Sequence, residues 1–314
     1  MYYIGIDLGG TGIKAGIVDE QGNIILKDSC PTGAERGYGA VIQDMANLAI
    51  SVVEKSGHRM SEIKAIGIGL PGVMDPRTGR VPFCTNLGWH DVPIIQEMAK
   101  YTDRPVFVDN DATVAGLAES VAGVSAGCAN SLFITLGTGV GGGVIIGGKV
   151  FSGSHGVASE IGHMVVVADG EMCTCGMRGC WERYASATAL IREGRKLCAN
   201  NPDTALAKAV DGDLKAITAK HVIDLAKQGD PDCAALFDRY VYYLCLGLRN
   251  MVSLYDPEVI ALGGGVSHAG EFLLNAVRAK LPGMVFYRDM PFARVELAKL
   301  TNDAGIIGAA MLGR

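Results

Sequence analysis

Long apolar runs are what this 314-residue chain lacks first. No window of about 18 residues is uninterrupted apolar sequence, because Gly, Lys, Asp or Glu breaks every candidate, so a membrane-spanning helix is not expected. Collagen is excluded too, since 43 glycines come with no Gly-X-Y period and only 11 prolines. Basic runs are missing, and 28 Lys and Arg against 33 Asp and Glu leave a net charge of -5, which speaks against nucleic acid as the main partner. The start has no basic stretch, apolar block and cleavage site; Tyr2-Tyr3-Ile4-Gly5-Ile6 reads at once as a strand, which gives a cytosolic protein as the expectation. Nine cysteines are odd in number and unevenly spread, unlike a disulfide framework. A hydrophobic share of 49% with 19% charged residues predicts real cores, in two domains or one large one.

What is present is an alternation of short strands and amphipathic helices, the pattern of the α/β class. Val41, Met45, Leu48 and Val52 recur at helical spacing before Gly57, and Ile63 to Leu70 reads as a buried strand ending at Pro71-Gly72. Pro105 to Val108 is another short strand, and Asn110-Asp111 falls where it hands over to a helix around Val114 to Ser120, the usual place for site residues. Leu236, Tyr240, Leu244, Leu248, Met251 and Tyr255 form a long stripe best read as core. An internal repeat is visible in Ile6-Asp7-Leu8-Gly9 against Ile134-Thr135-Leu136-Gly137, each opening a hairpin. Two such halves predict two lobes around a cleft, with a small lobe over 1–112, a large lobe over 113–299, and helix 300–314 returning to the first. The hinge is expected near residues 112 to 130.

Glycine is concentrated rather than general: 20 of the 43 fall in residues 5–16, 67–72, 137–156 and 263–265. In Asp7-Leu8-Gly9-Gly10-Thr11-Gly12 the missing side chains let backbone N–H groups approach an anion, with phosphate the expected ligand. Thr11 adds a hydroxyl, Lys14 a positive charge and Asp7 a carboxylate suited to magnesium through water. Gly137-Thr138-Gly139-Val140-Gly141-Gly142 contains a G-x-G-x-x-G string, but the dinucleotide fingerprint needs a helix next, and Val144-Ile145-Ile146 before a Gly-Gly turn is a strand. A Walker-type match from Gly143 to Lys149 fails because Val150 stands where Ser or Thr should be. A third loop, Gly263-Gly264-Gly265, lies between strand Val259 to Leu262 and a helix. Three such loops on repeated halves resemble the actin-like (ribonuclease H-like) ATPase fold shared by actin, heat-shock chaperones and sugar kinases, with duplicated βββαβα-type halves; by that resemblance ATP is the nucleotide. The segment ending at Gly72 is expected on the sugar side.

His163 followed by Cys173, Cys175 and Cys180 supplies one imidazole and three thiolates, a closed tetrahedral set whose soft sulfur favours structural zinc. Glu160, His163 and Glu182 flank the same loop, and carboxylates with an imidazole suit the binding of several sugar hydroxyls.

With these motifs in hand the chain is identified as similar to the ROK family (repressors, open reading frames and sugar kinases). The matching residues run from Asp7-x-Gly9-x-Thr11 through Asn110-Asp111, Leu136 to Gly142, Glu160-x-Gly162-His163, Cys173-x-Cys175-Gly176-x-x-Gly179-Cys180-x-Glu182 and Gly263 to Gly265, and cover essentially the whole chain to the Gly305 to Leu312 helix. Within the family the pattern is most similar to bacterial glucokinases. That resemblance implies transfer of the ATP γ-phosphoryl group to the 6-hydroxyl of a hexose, with Asp111 as catalytic base. It implies Asn110, Glu160, His163 and Glu182 as sugar ligands beside Asn86, zinc on His163 and the three cysteines, and a homodimer. Ser159, where many members carry Gly, is a departure that bears only on the local loop conformation. Kinases for N-acetylmannosamine, N-acetylglucosamine, fructose or allose share most of these residues. A sugar-responsive repressor is disfavoured, since only Met1-Tyr2 and Tyr3 precede the first strand and leave no helix-turn-helix; a chaperone-like ATPase has no use for a zinc-linked sugar constellation.

Overall fold

A computed structural model describes residues 1–314. The chain begins with β1 (Tyr2–Leu8), β2 (Gly12–Asp19) and β3 (Ile24–Pro31), then α1 (Tyr38–Lys55) and β4 (Ile63–Leu70). The short strands β5 (Val73–Asp75), β6 (Arg80–Cys84) and β7 (Trp89–Val92) form a separate small sheet ahead of α2 (Ile94–Met98), β8 (Val106–Asn110) and α3 (Asp111–Ala122). After β9 (Ser131–Leu136), β10 (Val140–Ile146) and β11 (Lys149–Val150) comes a long segment with α4 (Glu182–Ala185), α5 (Ala187–Asn200), α6 (Ala205–Lys208), α7 (Ala219–Lys227) and α8 (Pro231–Tyr255). The chain closes with β12 (Val259–Gly263), α9 (Glu271–Lys280), β13 (Arg294–Leu297) and α10 (Ala304–Met311).

The two five-stranded sheets have the same plan: β3-β2-β1-β4-β8 in one and β11-β10-β9-β12-β13 in the other. The repeat seen in the residues is therefore a repeat of topology, with β1 and β9 in the corresponding central place. Burial follows position. Interior strand β4 is buried at every position but one, whereas edge strand β3 alternates half-buried and exposed side chains, the pattern of a strand with one face in water. No helix is long and apolar enough to cross a membrane.

The chain makes two compact units: Met1–Phe133 with Gly143–Ser159 and Lys299–Arg314, and Ile134–Gly142 with Glu160–Ala298. This differs from a boundary at residue 112, for a packing reason. α10 lies on the first sheet through glycines: a Cβ on Gly5 would stand 1.8 Å from Ile306 O, and one on Gly67 1.7 Å from Ala309 O. α3 is wedged against the same helix, with Gly308 giving way to Val114 O and Gly69 to the Val114 side chain. A helix seated that closely belongs to the sheet it touches, so residues 113–133 stay with the first unit.

The second unit is organised by α8. Asp230 caps it by accepting from Cys233 N at 2.9 Å, Pro231 starts it without a donor to waste, and Phe237, Tyr240, Leu244, Leu248 and Met251 are buried along one face. Leu236 and Tyr255, expected on that stripe, sit at its half-exposed margin.

Candidate active site

In the first unit, the β1–β2 connection is a tight turn in which Gly9 N–H donates to Gly12 O at 2.9 Å, leaving Gly10 and Thr11 exposed at the tip. Thr32 fastens its base, donating through Oγ1 to Gly9 O at 2.7 Å. A Cβ on Gly10 would meet Asn86 O at 3.5 Å, so the turn and the predicted sugar-side segment lie against each other. Asp7, at the end of β1, faces Lys14 across the hairpin at 3.7 Å. Burial raises the Asp7 pKa above the ordinary carboxylate value, and Lys14 pulls it part of the way back. A half-buried carboxylate with only one distant cation suits a divalent metal ion.

Asn110 and Asp111 sit at the β8–α3 junction because Asn110 is the helix cap. Its Oδ1 accepts from Ala112 N at 2.8 Å and Thr113 N at 3.4 Å, while its amide donates to Gly72 O at 3.3 Å. Gly72 therefore supports Asn110 from the neighbouring strand end. Asp111 is exposed at the first position of α3, where the helix dipole favours a negative charge. The half-buried carboxyl preceding this pair, Asp109, has its pKa raised by desolvation and accepts from Ser152 Oγ at 3.0 Å. It directly follows the apolar Val106-Phe107-Val108 run of β8, which gives it no signal of its own in the sequence.

In the second unit, the Gly137 loop closes with Gly137 N–H donating to Gly139 O at 3.0 Å, and the start of α5 clamps it through Ala187 N to Gly137 O at 2.8 Å and Thr188 Oγ1 to Thr138 O at 2.7 Å. The loop leads into strand β10, as expected, and not into the helix of a dinucleotide fold. Gly264 (φ 82°) presses on the end of β9, where a Cβ would lie 2.6 Å from Leu136 N, so the Gly263 to Gly265 loop and the Gly137 loop are neighbours. A Cβ on Gly139 would fall 2.6 Å from Glu182 Oε2, so the end of that side chain lies against the turn.

Around Glu182 the predicted cluster assembles. One ligand atom each from His163, Cys173, Cys175 and Cys180 lies within 4.8 Å of the others. His163 Nδ1 is 3.6 Å from Cys173 Sγ, and Cys175 and Cys180 sulfurs are 3.5 Å apart. Tetrahedral zinc with Zn–S bonds of about 2.3 Å sets its ligand atoms about 3.7 Å apart, so spacing and donor type both fit. His163 turns its other nitrogen, Nε2, toward Glu160 at 4.0 Å, and Cys173 donates to Glu182 Oε1 at 3.2 Å. The imidazole thus faces sulfur on one side and carboxylate on the other. Burial raises the Cys173 thiol pKa and takes Cys180 to about 12, while backbone donation from Met177 lowers that of exposed Cys175.

Trp181, which belongs to no motif in the sequence, anchors the loop. It is fully buried, donates through Nε1 to Tyr243 O at 2.8 Å, and occupies the space that a Cβ on Gly247 would need, 1.9 Å from its ring. Cys180, Trp181 and Glu182 thus give successive side chains to the cluster, to the α8 core and to the Gly139 loop. Gly162 is equally fixed, with Val140 O 2.0 Å from its would-be Cβ. Ser159 holds φ at 75°, the region that favours glycine, and ties itself down through Oγ to Phe151 O at 3.2 Å.

Comparison with known proteins gives the family and the fold. The chain is 38% identical to a glucokinase of Halalkalibacterium halodurans, over 99% of this chain and 94% of that one, and 38% identical to a glucokinase of Thermotoga maritima, over 98% and 96%. Its fold matches the solved structure of a ROK family glucokinase from Streptomyces griseus in complex with glucose and AMPPNP, with a TM-score of 0.81, 37% identity and 99% of each chain covered. The duplicated α/β architecture is thus the actin-like ATPase type. The family model described as "ROK family" matches residues 3–314, and the chain belongs to the ROK family.

Proposed function

We propose that this protein is an ATP-dependent glucose kinase that transfers the γ-phosphoryl group to the sugar 6-hydroxyl. The observation that supports the reading is Glu182: its carboxylate lies against both the Gly139 turn and the Cys173 thiol, which would set the proposed sugar ligand beside the proposed phosphate loop and zinc cluster. Full-length likeness to glucokinases supports the same conclusion.

Glu160, Glu182 and the Nε2 edge of His163 accept or donate hydrogen bonds to the sugar hydroxyls, and the Asn110 amide has a second N–H to add. Asn86 borders the sugar beside the Gly10 turn. Asp111 receives the proton of the attacking hydroxyl late, since a loose transition state gains more from alignment than from nucleophile activation. Gly9, Gly10, Thr11, Gly137, Thr138 and Gly139 present backbone to the phosphates, Lys14 adds charge, and Gly263, Gly264 and Gly265 border the nucleoside. Asp7 would hold magnesium, which supplies charge neutralisation on the phosphates when bound. His163, Cys173, Cys175 and Cys180 would hold structural zinc, cross-linking a loop too short to own a core. A cytoplasmic homodimer belongs to the same proposal; light scattering tests its second half.

A coupled ADP-release assay over a hexose panel tests the reading. Glucose is expected to give the highest kcat/KM; preference for an N-acetylated hexosamine or fructose would reassign the substrate within the kinase class.

A further inference from the structure

Glu119, in α3, is completely buried, and no step of the phosphoryl transfer uses it. Its carboxylate accepts three backbone N–H groups: Val124 at 2.8 Å through one oxygen, Lys299 at 2.9 Å and Leu300 at 2.8 Å through the other. Gly123 has to be glycine for this, because a Cβ there would lie 1.9 Å from Glu119 Oε2. A buried carboxylate satisfied in this way is costly to disturb. What it grips is the place where the chain re-enters the first unit, at Lys299.

Two further features lie just beyond that grip. Thr301 is β-branched yet holds φ at 44°, a conformation that persists only where the surroundings over-determine it. Lys27 adds to the constraint by pairing with Asp303 at 2.6 Å. Then α10 begins, and its second residue, Gly305, is flush against Asp7, where a Cβ would stand 2.5 Å from the carboxyl carbon.

We propose that Glu119 is a positioning residue that fixes the strained entry of α10 and so sets the Asp7 carboxylate for its magnesium-linked task. The inference rests on the assignment of magnesium to Asp7. Glu119 never touches substrate; it acts through Lys299, Leu300 and Gly305.

The test uses the full chain with magnesium titrated at fixed ATP and saturating glucose. Glu119→Gln places an amide against backbone donors and is expected to raise the magnesium half-saturation about tenfold or more, with the glucose KM unchanged. Gly305→Ala should reproduce the shift directly at Asp7, and the double variant should fall short of the product of the two. A purely structural role would lower thermal stability and the active fraction without moving the half-saturation. An unmoved magnesium curve for Glu119→Gln, beside a shifted one for Asp7→Asn, overturns the inference alone; an unmoved Asp7→Asn curve removes the Asp7 assignment and the inference with it. If Glu119→Gln does not fold, Gly305→Ala decides together with hydrogen exchange on magnesium-free wild-type protein. The Lys299 and Leu300 amides should exchange as slowly as those of β1, and fast exchange overturns the grip.

Discussion

The two five-stranded sheets share one strand order and differ in what they carry. Between β3 and β4 the chain needs only residues 32–62 and one long helix; between β11 and β12 it takes residues 151–258, with the His and Cys cluster and helices α4 to α8. The edge strand shrinks accordingly, from eight residues in β3 to two in β11. The scaffold supplies a glycine turn after its central strand in each half. The chemistry that distinguishes the halves lies in the connections, where side chains are free of the ladder.

The largest test of that contrast is Asp111→Asn, at a strand-to-helix junction of the first half. Turnover is expected to fall about 10³-fold, roughly 4 kcal/mol in the barrier, with sugar binding by calorimetry preserved. Near-normal turnover would remove Asp111 from the base role.

Next come glycines of two kinds. Gly67→Ala drives a Cβ into Ala309 O and should destabilise the fold by about 3 kcal/mol through overpacking, read by denaturant unfolding. Gly139→Ala meets a carboxylate that can swing away, so it should leave the unfolding midpoint nearly unchanged while raising the glucose KM. Equal stability losses would blur the distinction between packing glycines and site glycines.

The cluster carries a pH prediction. Cys173 and Cys180 have thiol pKa values raised above their ordinary level, so around neutrality both bind protons that a metal must displace. Apparent zinc affinity of the metal-free protein should therefore rise with pH, by about 100-fold per unit for two displaced protons. Cys175→Ser should abolish stoichiometric zinc in a metal analysis and loosen the loop bearing Glu182. A pH-independent affinity would mean that the thiols are not the ligands.

The smallest effect is at Ser159. Because its φ is 75°, Ser159→Gly should be more stable than Ser159→Ala by about 1 kcal/mol in thermal unfolding, both variants having lost the hydroxyl bond to Phe151.

Much of the fold and the assembly of the His and Cys cluster was legible in the residues, for local reasons. Strand Ile63 to Leu70 has its expected ends, and the hairpins after Gly12 and Val140 follow from apolar runs broken by turn residues. The cluster was legible because soft ligands at short spacing have few other uses. What sequence could not supply were meanings that depend on a distant partner. Gly5 and Gly67 looked like parts of ligand loops, yet they are seats for α10, some 240 to 300 residues further on. Glu119 takes its role from Lys299 and Leu300, some 180 residues further on. Trp181 likewise gains its role from Gly247 and Tyr243 of α8. Each case turns on contact across sequence distance, which periodicity and spacing do not encode.

The most direct measurement is ADP release by the purified chain with ATP and magnesium, with and without glucose, coupled to identification of the sugar product. A glucose kinase should form ADP only with glucose present, matching glucose 6-phosphate one for one. ATP hydrolysis indifferent to sugar, or no hexose-dependent ADP release across the panel, would contradict it.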